Sequence, residues 1–185
     1  MSETKNRGTG AGGAKTNETG KKLEEKVRGG FNSHISVINT IPSKNIYKVQ
    51  TVKITSRDDD YIRAPEGAFK KWGNEFSNKN ILELGGAKQP DDCFINIIKK
   101  TINWIEAKEF TCKGGSVCEK IQSYPNKIRN LQRRYPGWQI NYIYVLARKF
   151  EMICPAEIQD LKDDDIAFVY SDDPELITKL LQYII

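Results

Sequence analysis

The stretch from 101 to 110, Thr-Ile-Asn-Trp-Ile-Glu-Ala-Lys-Glu-Phe, is β-branched and aromatic, yet Glu106 and Lys108 interrupt it. A run of this kind reads as a strand with a core face, and side chains two apart on a strand share a face. Glu106 and Lys108 therefore point the same way, while Ala107 points opposite and leaves its carbonyl near the same rim. Charge in a core strand is expensive unless it is paired or liganded. The fold must therefore supply these two residues with a partner. Residues 94–97 are short, apolar and β-prone, and Asn96 with Lys99-Lys100 brackets a turn, so the two stretches read as one hairpin. That turnaround brings Pro90-Asp91-Asp92 beside Glu106.

Carboxylates around one point are what a hard divalent cation needs, with a backbone carbonyl, waters and substrate phosphate completing its shell. Asp91, Glu106 and the Ala107 carbonyl are the candidate ligands of Mg²⁺. A metal so held acidifies a water and neutralises charge on a scissile phosphate. Lys108 is the candidate donor to that water and to a non-bridging oxygen.

At these residues the chain resembles the PD-(D/E)XK nuclease superfamily, and more narrowly its small type II restriction endonucleases. Residues 13–20 followed by Leu23-Glu24-Glu25 resemble an opening in which an N-terminal helix brings an extra acid to the metal. Residues 114–122 resemble the approach to the helix after the catalytic strand, and 138–146 the central strand that follows. The resemblance is good over 12–30 and 86–148 and weak between them. It implies catalytic roles for Asp91, Glu106 and Lys108, with Glu24 an auxiliary acid and Gln122 approaching the lysine side. Asp92 is the alternative to Asp91, and Glu25 to Glu24; Asp91 is preferred because it directly follows the proline. The implied fold is a restriction-endonuclease-like mixed β-sheet flanked by helices. The implied activity is Mg²⁺-dependent, site-specific hydrolysis of double-stranded DNA leaving 5′-phosphate ends. The implied partners are a second copy in a homodimer, with a monomer as the alternative, and a cognate DNA methyltransferase in the same host. A repair, junction-resolving or structure-specific nuclease of the same fold is the enzymatic alternative, and a DNA-binding module without catalysis is the other.

Charge distribution suits a phosphate backbone. From 113 to 149 the basic residues, among them Lys113, Lys127, Arg129, Arg133 and Arg134, face only Glu119, whereas acids dominate from 150 onward. Those five are the candidate nucleic-acid contacts. No apolar run is long enough to span a membrane and the N-terminus lacks a signal core, so the expectation is a cytoplasmic protein. Cys93, Cys112, Cys118 and Cys154 form no Cys-x-x-Cys pair, and His34 is the only histidine. This disfavours structural zinc and histidine-based catalysis, and an intracellular chain is expected to keep these thiols reduced.

The organisation expected is a disordered arm over 1–15 and one domain over 16–185. Helices are read at 20–28, where Gly29-Gly30 ends the first, and at 68–76, 155–161 and 173–185, with a striped helix over 121–135 that Pro125 kinks or divides. Strands are read at 36–41, 46–55, 140–146 and 165–170. The polar stretch 57–63, with Asp58-Asp59-Asp60, reads as a solvated loop because calcium-loop spacing is missing. Strands interleaved with helices give an α/β class.

Overall fold

Seven segments of β-prone sequence pair in strict chain order into one sheet, β1 (Ile35–Ile41), β2 (Val49–Ile54), β3 (Asp60–Arg63), β4 (Asp92–Asn96), β5 (Thr101–Lys108), β6 (Gln139–Leu146) and β7 (Ala167–Tyr170). The computed structural model describes residues 13–42, 46–76, 89–110 and 117–185. β1 to β5 form an antiparallel meander, whereas β5, β6 and β7 run parallel. A parallel step needs a crossover long enough for a helix. α3 (Glu119–Gln122) and α4 (Tyr124–Arg134) carry the chain from β5 to β6, and α5 (Lys149–Ile153) and α6 (Pro155–Asp163) from β6 to β7. The protein is thus a mixed α/β fold with helices on both faces of the sheet.

Period-two alternation on β5 divides the core into two layers. Ile105 and Ala107 pack with α1 (Gly13–Gly30) and α7 (Leu176–Tyr183), through Leu23, Val27, Leu176 and Leu180. Ile102 and Trp104 pack on the other face with Phe69 and Trp72 of α2 (Gly67–Phe76), Leu131 of α4 and Leu161 of α6. Each large side chain buried this way stabilises the fold by roughly 1.5–3 kcal/mol. Phe69 anchors the second layer, its ring 5.1 Å from Trp104 and 5.6 Å from Tyr135.

The hairpin between β4 and β5 closes as its residue types demand. Asn96 Oδ1 accepts from the Lys99 amide at 3.0 Å, and Lys100 takes the left-handed φ of 54° that a tight reversal needs. Pro125 divides the striped helix into α3 and α4, because it enters the first turn of α4, where a missing N–H costs nothing.

Four expectations are corrected. The first helix begins at Gly13, inside the stretch read as an arm, and continues through Gly29-Gly30. Gly30 has helical angles (φ −60°, ψ −33°), and a Cβ there would lie 2.5 Å from Ile177, so its role is close approach of α7 rather than termination. Residues 1–12 lie outside the described residues. The stretch 57–63 is not all loop: 60–63 forms β3 between β2 and β4. Its alternation was hidden by Arg63, whose charge is buried in an ion pair with Asp92 at 2.6 Å. α5 is a further short helix where none was read. Finally, the thiols are not all reduced, since Cys118 and Cys154 form a disulfide that ties α3 to the start of α6. The two cysteines are 36 residues apart in sequence and only the crossover brings them together. Cys93 is free and buried, and Cys112 lies outside the described residues. Among the described residues, no helix is long and apolar enough to cross a membrane.

Candidate active site

β4 begins at Asp92, one residue after Asp91, and this offset sends the two neighbouring aspartates to opposite sides of the sheet. Asp92 is fully buried on the α1 face. Arg63 donates to both its oxygens, from Nη2 at 2.6 Å and Nε at 3.1–3.3 Å, and the Cys93 amide adds a bond at 2.9 Å. The guanidinium lies 5.5 Å from both the Phe31 and Phe94 rings. Asp92 is therefore a satisfied structural group, and Asp91 is the aspartate that reaches Glu106.

Pro90 has no N–H with which to extend the ladder toward Ala107. Instead Asp91 Oδ2 accepts from the Ala107 amide at 2.6 Å, and the Asp91 amide donates to the Ile105 carbonyl at 3.1 Å. N–H and C=O of one strand residue lie on the same strand edge. The Ala107 carbonyl therefore opens toward Asp91 as well.

Glu106 projects from the face that carries Trp104. Trp104 Nε1 donates to its Oε2 at 3.2 Å, while Lys108 and Lys127 both approach Oε1, Lys127 at 3.3 Å. Burial alone would raise the Glu106 carboxyl, but these two ammonium groups hold it below the usual range. Asp91 shows the reverse: burial, with the charge of Glu106 beside it, pushes its carboxyl up to about 7. The neighbouring ammonium groups thus favour the ionised form of Glu106, while burial and the charge of Glu106 favour the protonated form of Asp91.

α1 lies across this end of the sheet. Glu24 is half-buried and Glu25 exposed, so α1 turns Glu24 and not Glu25 to the site. Burial raises the Glu24 carboxyl, and its neighbouring charges are Arg28, Glu66, Lys108 and Glu106. Glu24, Ala107, Lys108 and Lys120 line one open cleft. Among the described residues, the only three Cys, His, Asp or Glu ligand atoms within 4.8 Å of one another belong to Cys118, Cys154 and Glu157, whose sulfurs are in the disulfide. Glu24 therefore does not close with Asp91 and Glu106 on one point in this structure.

Gln122 is not brought to the lysine side. It is exposed and donates to Glu157 of α6 at 2.8 Å, because α3 is one short turn that directs Lys120 inward instead. Lys120 donates to the Glu109 carbonyl at 3.1 Å, and its ammonium is lowered by burial and by Lys108. The candidate DNA contacts also separate. Arg129 and Arg133 are exposed on α4, whereas Lys127 and Arg134 line a small cavity of about 80 Å³ with Trp104, Glu106, Asn130 and Tyr142. Lys113 lies outside the described residues.

Arg28 and Glu66 were not singled out from the sequence. Arg28 is nearly buried and donates to Glu66 at 2.6 Å, to the Asp91 carbonyl at 3.1 Å and to Tyr47 at 2.9 Å. Glu66 holds a left-handed φ of 45°, uncommon for a residue with a side chain, and its amide donates to the Pro90 carbonyl at 2.9 Å. Together they pin Pro90-Asp91 from both sides. No sequence pattern marks either residue, since they meet only across the sheet.

An all-oxygen donor set of Asp91, Glu106 and the Ala107 carbonyl, with two carboxylates that oppose each other's ionisation, fits a hard cation such as Mg²⁺. Bound there, it would polarise a phosphate and acidify a water. No protein-family model matches the sequence, and no curated protein and no solved structure matches it.

Proposed function

We propose that the chain is a Mg²⁺-dependent endonuclease that hydrolyses double-stranded DNA in the manner of type II restriction enzymes, with a PD-(D/E)XK site and a restriction-endonuclease-like sheet. The observation that carries the reading is the convergence of Asp91, Glu106 and Lys108 where β4 begins and β5 ends, with Asp91 raised by burial and by the charge of Glu106. Asp91 and Glu106 would hold the cation with the Ala107 carbonyl. Lys108 shares a face with Glu106 and orients a nucleophile or a phosphate oxygen. Glu24 is the auxiliary acid, close enough for its charge to be felt by Asp91 but not in direct contact. Arg28 and Glu66 position Asp91 through its backbone. Arg129 and Arg133, exposed on the crossover helix, suit contacts to the phosphate backbone. The products would carry 5′-phosphates, a homodimer would match a symmetric site, and a protective methyltransferase would accompany the enzyme in the cytoplasm.

Saturation of Glu106 by Lys108, Lys127 and Trp104 favours one competing reading, a DNA-binding module without catalysis. Incubating the protein with phage or plasmid DNA in Mg²⁺ and sequencing the fragment ends separates the two. Discrete fragments with a common terminal sequence support the restriction reading. Salt-sensitive binding without any strand scission supports the module.

A further inference from the structure

The carboxylate of Glu106 is occupied before any cation arrives, and the two lysines that occupy it are not equivalent. Lys108 sits two residues along the same strand, so the pleat of β5 keeps it beside Glu106. Lys127 comes from α4 and reaches Oε1 at 3.3 Å on a long flexible stem. Its side chain is only 10% exposed and that of Glu106 only 12%, so the ion pair is poorly screened. The Lys127 ammonium also lies 5.8 Å from the centres of the Tyr142 and Tyr144 rings, which gives it a second favourable resting place.

We propose that Lys127 is a positioning residue, an internal counterion that holds the Glu106 carboxylate in the metal-free protein and yields Oε1 when a divalent cation binds. The inference rests on the nuclease reading and deepens it. An ammonium and a divalent cation compete for the same carboxylate oxygen and repel each other. Lys108 stands beside Glu106 on the same strand and makes the shorter contact, whereas Lys127 makes the longer one, at 3.3 Å, and has the tyrosine rings to rest on, so Lys127 is the group assigned the move. Residues 127, 130 and 134 lie on one face of α4, and Lys127, Asn130 and Arg134 line the same cavity. A displaced Lys127 ammonium stays over the tyrosine rings, inside the cavity that Asn130 and Arg134 also line. Lys127 thus supplies the positive charge beside the half-buried Glu106 carboxylate when no cation is bound, and it sets the Mg²⁺ concentration at which the site fills.

The test is Mg²⁺ titration by calorimetry on the full chain without DNA. Lys127→Met should bind Mg²⁺ roughly five- to tenfold more tightly than wild type, because a repelling charge and a competitor are both removed. Lys127→Arg, which keeps the cation, should bind like wild type. Unchanged or weaker binding by a folded Lys127→Met protein overturns the inference. A second measurement needs no variant: reductive methylation of wild type, read by mass spectrometry, should modify Lys127 faster at saturating Mg²⁺ than without it. An equal rate also overturns the inference while leaving the nuclease reading intact. Failure of wild type to bind Mg²⁺ at all overturns both.

Discussion

Asp91 and Asp92 are neighbours in sequence, the first half-buried and the second fully buried, and they meet opposite fates. Asp92 is matched by a backbone amide and by one guanidinium that reaches both its oxygens and is itself flanked by two rings. Asp91 meets another carboxylate, and its amide partner does not offset the burial and repulsion that push it up to about 7. The first arrangement is balanced and stabilises the fold. The second is left unbalanced, whereas the buried charged groups Arg28, Arg63 and Asp92 among the described residues are paired, and such an imbalance makes Asp91 the candidate for chemistry. Arg63 could in principle have served either aspartate; the one-residue offset of β4 decides which.

The largest effect on stability should come from the balanced side. Asp92→Ala leaves the Arg63 guanidinium buried without its carboxylate, which costs about 3–5 kcal/mol. Thermal melting should show a fall in Tm on the order of 10 °C or more for a chain of this size. A loss below 1 kcal/mol would mean that the pair is not the structural element described.

The unbalanced side should behave in the opposite sense. The folded-state value of Asp91 lies above its unfolded value, so its contribution to stability is present below about pH 4. It is lost as pH rises through about 7. Wild type without metal should therefore lose stability relative to Asp91→Asn across that window. At pH 8 the variant should melt ~2–6 °C higher, corresponding to about 1–2 kcal/mol after discounting for partial exposure. Mg²⁺ should stabilise wild type at pH 8 and far less at pH 5, where Asp91 holds its proton, and should leave the variant nearly unchanged. A variant less stable than wild type at pH 8 would contradict the assignment of imbalance to Asp91.

Much of the fold was legible because its strands and helices carry simple patterns. Phe69 and Trp72 at helical spacing, the apolar run of β6 and the Asn96–Lys100 turn all lie where periodicity and turn chemistry put them. The hairpin that brings Asp91 to Glu106 was legible for the same reason. What escaped depends on contacts between distant segments. β3 looked like a loop because Arg63 finds its counterion 29 residues away. The Cys118–Cys154 bond joins segments 36 residues apart, and intracellular chemistry alone argued against it. Gln122 was assigned to the site by resemblance, but the single turn of α3 directs it to Glu157. Lys127 was read as a surface phosphate contact, since nothing in a helical pattern tells that one lysine reaches the core strand. Glycine was misread once, where Gly30 serves α7 packing and not a helix stop.

The central claim is that the charges at the end of β5 are catalytic and not merely a paired edge. It is tested most directly by cleavage of plasmid DNA in Mg²⁺ by wild type and Glu106→Ala, with DNA binding and melting measured alongside. Wild type should produce discrete fragments. The variant should stay folded, bind DNA within a few-fold of wild type, and cleave at least ~10³-fold more slowly, corresponding to a loss of about 4 kcal/mol in transition-state stabilisation. Cleavage by Glu106→Ala at the wild-type rate would contradict the account.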